Sequence, residues 1–142
     1  MSGSITFVGA GPGAPDLITL RGAAALRDAD LVIYAGSLVN EELLELAPKA
    51  RLVNSAKLAL PEVLREMRQA YEQGENVVRL HTGDPAIYGA VSEQFRELDR
   101  LGIPYSVVPG VSSAFAAAAA LRVELTMPGL SQSVILTRDA GR

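Results

Sequence analysis

The residues able to hold a ligand gather in three glycine-bearing stretches. The first, Val8-Gly9-Ala10-Gly11-Pro12-Gly13-Ala14-Pro15-Asp16, crowds three glycines into five residues directly after the apolar run Ile5-Thr6-Phe7-Val8. Residues without a Cβ let a backbone come close to a ligand or to another segment. The second, Leu80-His81-Thr82-Gly83-Asp84-Pro85, sets a carboxylate beside another such glycine. A carboxylate withdrawn from water needs a partner: a ligand amine or hydroxyl, or the free amides of a helix start. The third, Val107-Val108-Pro109-Gly110-Val111-Ser112-Ser113, offers hydroxyls and unpaired N–H groups where a helix begins. That is a seat for a polar ligand or an ordinary helix cap.

Two phosphate chemistries can be tested on these stretches. A Walker loop requires a Gly-Lys pair so that lysine reaches the β and γ phosphates, and the chain contains no such pair. The dinucleotide pattern Gly-x-Gly-x-x-Gly/Ala is met formally by Gly9, Gly11 and Ala14. Pro12 and Pro15, however, remove backbone donors from the turn that would cradle a pyrophosphate. The second apolar run ends in Ala35-Gly36-Ser37, without an acid for a ribose hydroxyl. The plainer alternative is that the glycines only allow a strand and a helix to pack closely. His81, the one histidine, reads as strand-end packing rather than catalysis, because no cysteine or second histidine supports it. The same shortage removes thiolate and histidine-rich metal sites.

The whole chain bounds the alternatives. Its 142 residues suit one domain with a sizeable core. Half of it is hydrophobic and a fifth charged, which is a globular composition. The net charge of −3 and the mere two lysines, Lys49 and Lys57, leave no basic footprint for a nucleic acid. The longest apolar run, Ala114 to Leu121, falls far short of the roughly 20 residues that span a bilayer. No Lys or Arg precedes the first apolar stretch, so no secretory signal is read. The expectation is a cytoplasmic protein with no membrane partner.

The positions of these stretches follow from the elements around them. Strands are expected at Ile5–Gly9, Leu31–Tyr34, Arg51–Val53, Asn76–His81 and Tyr105–Val108, each bounded by Gly, Pro or polar residues. Helices fill the gaps. Thr19 to Arg27 is one, and Asn40 caps a short one starting Glu41-Glu42. Pro61 opens another that carries Val63, Met67 and Ala70 on one face and ends at a left-handed Gly74. Ile87, Val91, Phe95 and Leu98 predict a helix ending at Gly102, and Ser112 or Ser113 caps an alanine-rich helix to Leu121. Such alternation predicts an α/β fold, an open and mainly parallel five-stranded sheet with helices on both faces. Ligands on such sheets sit beyond the carboxyl ends of the strands, where all three glycine stretches fall. After Leu121, Ser133-Val134-Ile135-Leu136-Thr137 reads as one more strand.

Taken together, Gly-Ala-Gly-Pro-Gly, Gly-Asp-Pro and Val-Pro-Gly-Val-Ser after the first, fourth and fifth strands resemble the tetrapyrrole methylase family. Tyr34 to Val39, Asn54-Ser55-Ala56, Arg79 to Pro85 and Leu130 to Arg138 are similar to its branch that methylates carbon 11 of precorrin-4, or of cobalt-precorrin-4, in cobalamin synthesis. The likeness runs from Ile5 to Arg142. It implies a methyltransferase using S-adenosylmethionine, with cofactor contacts at Pro12, at Thr82, Gly83, Asp84 and Ile87, and at Ser112 and Ser113. It implies an acidic tetrapyrrole as substrate; a homodimer is expected separately, from apolar surface near Val134–Leu136. Siroheme-type relatives carry an aspartate right after the tyrosine of the second strand. Ala35 stands there, so no general base or other catalytic residue is assigned. The family has two α/β domains around one cleft. Residues 1–128 are expected to be the N-terminal cofactor-binding domain. Residues 129–142 would be the linker and first strand of a C-terminal domain otherwise absent from this chain, which alone is expected to be inactive. Other members of the superfamily, acting on a different tetrapyrrole carbon, ribosomal RNA or diphthine, and a non-catalytic nucleotide-binding module, are the alternatives.

Overall fold

The computed structural model describes residues 1–139. Five strands form one sheet: β1 (Ser4–Gly9), β2 (Leu31–Tyr34), β3 (Arg51–Asn54), β4 (Asn76–His81) and β5 (Ser106–Val108). Their order is β3-β2-β4-β1-β5, and every pairing is parallel. The register sets Gly9 beside His81 and Tyr34 beside Leu80, so β1, β2 and β4 finish at one level. All loops that follow the strands therefore leave from the same edge.

Alternate residues of the strands bury opposite faces. Ile5, Phe7, Leu31, Ile33 and Val77 pack under α2 (Leu60–Glu72) and α3 (Ser92–Arg100), meeting Val63, Met67, Ala70 and Leu98. Val8, Val32, Val78, Leu80 and Val108 pack on the other face against Leu26 of α1 (Leu20–Asp28) and Leu43. The expected sheet with helices on both faces is thus the observed one. α4 (Ser113–Leu121) follows β5.

Local signals explain the ends. Thr19 caps α1 by accepting from the Gly22 amide at 3.0 Å. Glu62 accepts from the Ala59 amide at 2.7 Å at the start of α2. Gly74, at φ +84°, closes α2, with the Glu75 amide donating to the Ala70 carbonyl. Asn40 caps the segment Glu41–Leu46 as expected, but that segment is a 3-10 helix.

Two expectations fail. Ile87 is not helical: α3 starts at Ser92, because Tyr88 and Ala90 take φ of +54° and +50° and break the helical path. Ser133–Thr137 forms no strand: no described segment pairs with it, and a strand gains its stability from pairing. The chain reaches it through a turn closed by the Met127 amide on the Ser131 carbonyl at 2.8 Å. Residues 140–142, the end of the expected second-domain segment, lie outside the described residues.

Met67 has no exposed surface and sits centrally in the cluster beneath α2 and α3. Met67→Ala is expected to lower unfolding free energy by about 2–5 kcal/mol, read by urea denaturation, through lost burial and the cavity left behind.

Candidate functional site

The three glycine stretches follow β1, β4 and β5, which are neighbours in the sheet. Parallel strands lie roughly 4.8 Å apart, so loops leaving side by side have little room. A Cβ on Gly9 would come within 2.6 Å of the Gly110 Cα, and one on Gly110 would overlap the Gly83 carbonyl. The Gly11 and Gly83 backbones bond each other in both directions, at 3.2 and 2.8 Å. The glycines of all three loops thus pack on one another.

Asp84 completes this junction. One carboxylate oxygen accepts from the Ala86 amide at 2.8 Å and the other from the Gly110 amide at 2.9 Å. Its first job is to tie the β4 loop to the β5 loop. The β2 loop joins through the Thr82 hydroxyl, which donates to the Leu38 carbonyl at 3.0 Å. Asn40 reaches the β1 loop by donating to the Gly13 carbonyl at 2.9 Å.

These ties frame an open cleft of about 310 Å³ at the strand ends. Thr82, Gly83, Asp84, Ile87, Ser112 and Ser113 line it, which brings six of the seven expected contact residues together. Pro12 stands apart, in the neighbouring loop, and does not line it. Ser112 is the residue before α4, yet its side chain makes no capping bond. Its hydroxyl and the first amides of a nine-residue helix stay available to a ligand. A larger groove of about 550 Å³ runs between α2 and α3, lined by Arg65, Arg68, Arg96 and Arg100. It lies on a helical face away from the strand ends, where ligands of open α/β sheets bind.

Sequence reasoning missed part of the cleft. Arg79, His81, Ala35, Leu38, Tyr88 and Gly89 line it as well. Arg79 and His81 face the same side of β4 as Val77 and are 8% and 7% exposed. Burial lowers the Arg79 guanidinium to about 10, which leaves it charged at neutral pH. Burial, then the nearby Arg79 charge, pushes the His81 imidazole down to about 4. His81 lies against the Phe7 ring, 6.0 Å between centroids and 17° between planes, and its enclosed Nε2 has no hydrogen-bond partner. The available signal was an arginine inside a strand whose other residues read as buried on both faces.

The comparisons decide the family. The profile of the Tetrapyrrole (Corrin/Porphyrin) Methylases matches residues 4–142. This chain belongs to the tetrapyrrole methylase family. It is 57% identical over 139 residues to the cobalt-precorrin-4 C(11)-methyltransferase of Methanocaldococcus jannaschii, covering 97% of this chain and 54% of that protein. Among solved structures, the X-ray structure of a cobalt precorrin-4 methyltransferase superposes at a TM-score of 0.94 with 49% identity, over 98% of this chain and 59% of that one. The uroporphyrin-III C-methyl transferase from Thermus thermophilus, complexed with S-adenosyl homocysteine, superposes at 0.77 with 37% identity, over 92% of this chain and 53% of that one. The chain spans about half the length of these family members.

Two outcomes are expected. Gly110→Ala should force the β4 and β5 loops apart and lower the thermal midpoint, read by calorimetry. His81 gives a pH signature. An unfolded histidine binds its proton near 6.5 and the folded one near 4. Between those values the unfolded state holds more protons, so the stability due to neutral His81 is present above pH 6.5 and lost as pH falls toward 4. Urea titrations from pH 7 to 5 should show a shallower pH slope for His81→Gln than for wild type.

Proposed function

We propose that this chain is the cofactor-binding half of a methyltransferase acting on carbon 11 of precorrin-4, with or without cobalt, in cobalamin synthesis. The observation that carries the reading is the junction of three glycine loops that frames a polar cleft with the uncommitted Ser112 hydroxyl at its rim. Residues 129–142 begin the second domain, which supplies the facing wall of that cleft. The exposed apolar side chains Leu130, Val134, Ile135 and Leu136 agree with a covered position in the longer protein. A cytoplasmic homodimer completes the reading.

The residues present suit S-adenosylmethionine. Its amino-acid end is zwitterionic, its ribose offers hydroxyls, and it carries no phosphate. The free amides at the start of α4 and the Ser112 hydroxyl provide donors, and the backbone of Gly83 is open toward Ser112, with a Cβ there meeting nothing closer than 3.8 Å. When bound, the cofactor supplies a sulfonium methyl to a ring carbon, its sulfur keeping the bonding pair. The loops must align carbon, methyl and sulfur, and rigid placement of this kind is worth at most about 7–11 kcal/mol. Asp84 keeps the β4 and β5 loops in one geometry, so the donors on both are already placed. Leu38, Ile87 and Tyr88 add exposed apolar surface to the cleft. No side chain is asked to act as a nucleophile.

The test uses the full-length protein, precorrin-4 and methyl-labelled cofactor. Expected are micromolar binding of S-adenosylhomocysteine by calorimetry and a singly methylated product with the label at carbon 11. A label at another ring carbon would move the protein to another member of the family, and absence of binding would overturn the cofactor reading. Ser112→Ala should weaken the cofactor by about tenfold, the worth of one hydrogen bond in a shielded site.

A further inference from the structure

The cleft floor holds two polar groups that the reading above leaves unused. Arg79 lies in the middle of the sheet, with Phe7 and Ile33 as its strand neighbours. Its Nε donates to the Gln94 side-chain oxygen at 3.4 Å and its Nη1 to the Ile33 carbonyl at 3.2 Å. Both acceptors are neutral. Among the described residues, no carboxylate lies within ion-pair distance of the guanidinium. Asp84, the one carboxylate among the described residues that line the cleft, already accepts two backbone amides with its two oxygens. A buried cation satisfied only by neutral groups is expensive until an anion arrives.

His81 is the next residue on the same face of β4. Its Nε2 is enclosed, has no partner and belongs to a ring that lines the same cleft. A neutral imidazole can carry its proton on that nitrogen and donate to an anion. The guanidinium offers further N–H groups in a planar fork, which matches the two oxygens of a carboxylate. Stacking against Phe7 holds the imidazole in place.

We propose that Arg79 and His81 form a seat for a carboxylate of the bound ligand on the floor of the cleft. The proposal rests on that cleft being a ligand site and deepens its reading. Two sources carry this chemistry: the amino-acid end of the cofactor and the acidic side chains of the tetrapyrrole. Arg79 also supports the cleft wall, since Gln94 bridges it to the Ala90 carbonyl at 3.3 Å, next to the left-handed Tyr88 and Ala90. A purely supporting role would not make affinity depend on a carboxylate in the ligand.

The experiment is calorimetric titration of the full-length protein as wild type, Arg79→Gln, Arg79→Lys and His81→Gln. Three probes are used: S-adenosylhomocysteine, its decarboxylated analogue and uroporphyrin III. A seat for the cofactor predicts that wild type prefers S-adenosylhomocysteine over the decarboxylated probe by about ten- to hundredfold, and that Arg79→Gln erases the preference. A seat for the tetrapyrrole predicts unchanged S-adenosylhomocysteine binding and a comparable loss for uroporphyrin III, with a weaker salt dependence. In either case Arg79→Lys retains part of the affinity and His81→Gln loses a smaller part for the same probe. If Arg79→Gln does not fold, Arg79→Lys and His81→Gln carry the same comparison. Variants with wild-type thermal midpoints that bind all three probes within twofold of wild type would overturn the seat while leaving the cleft intact. A wild type that binds neither S-adenosylhomocysteine nor uroporphyrin III would overturn the reading of the cleft itself.

Discussion

Three loops leaving the same edge of a parallel sheet have to occupy almost the same space. β1, β4 and β5 are adjacent and end at one level, so the chain resolves the crowding by removing side chains. Gly9, Gly83 and Gly110 touch backbone to backbone, Gly11 and Gly83 exchange hydrogen bonds, and Asp84 fastens the β5 loop from the β4 side. Everything at the strand ends depends on this contact. It sets where α4 starts, and therefore where the Ser112 hydroxyl and the free amides of that helix point. The glycines that resemble a phosphate cradle serve chain-to-chain packing first, and the cleft is what that packing leaves open.

The departures from ordinary folding rules collect beside this junction. Arg79 and His81 are buried on a face otherwise filled by Phe7, Ile33, Val77 and Leu98, and Tyr88 and Ala90 adopt the left-handed region without being glycine. Each is locally unfavourable, by roughly 1–3 kcal/mol for a strained residue. The rest of the sheet and its two apolar clusters are regular, and the further left-handed non-glycine among the described residues, Arg122, ends α4. Concentration of strain and buried polarity at one edge is the pattern expected where a scaffold has been shaped around a ligand.

The relatives are nearly twice as long as the chain, and the cleft has a floor and one wall from the residues described here. At about 310 Å³ it is at the lower end of small-molecule sites.

Resemblance to a family marked six residues that line the cleft; the amino-acid sequence by itself determined the alternation of strands and helices, the parallel sheet and the glycine loops at the strand ends. Those features are local. Apolar runs, caps such as Thr19 and Asn40, and stops such as Gly74 act over a few residues and can be read in order along the chain. Tertiary structure alone decided that the glycines of three loops meet one another, that both Asp84 oxygens face backbone amides, and that Pro12 stands outside the cleft. It also decided that Ile87 belongs to a strained turn and, among the described residues, that Ser133–Thr137 finds no strand to pair with and that Arg79 and His81 share a buried face without a carboxylate in ion-pair range. These outcomes follow from strand order and register between segments as far apart as Gly9, His81 and Gly110, because burial and close contact depend on which strands become neighbours.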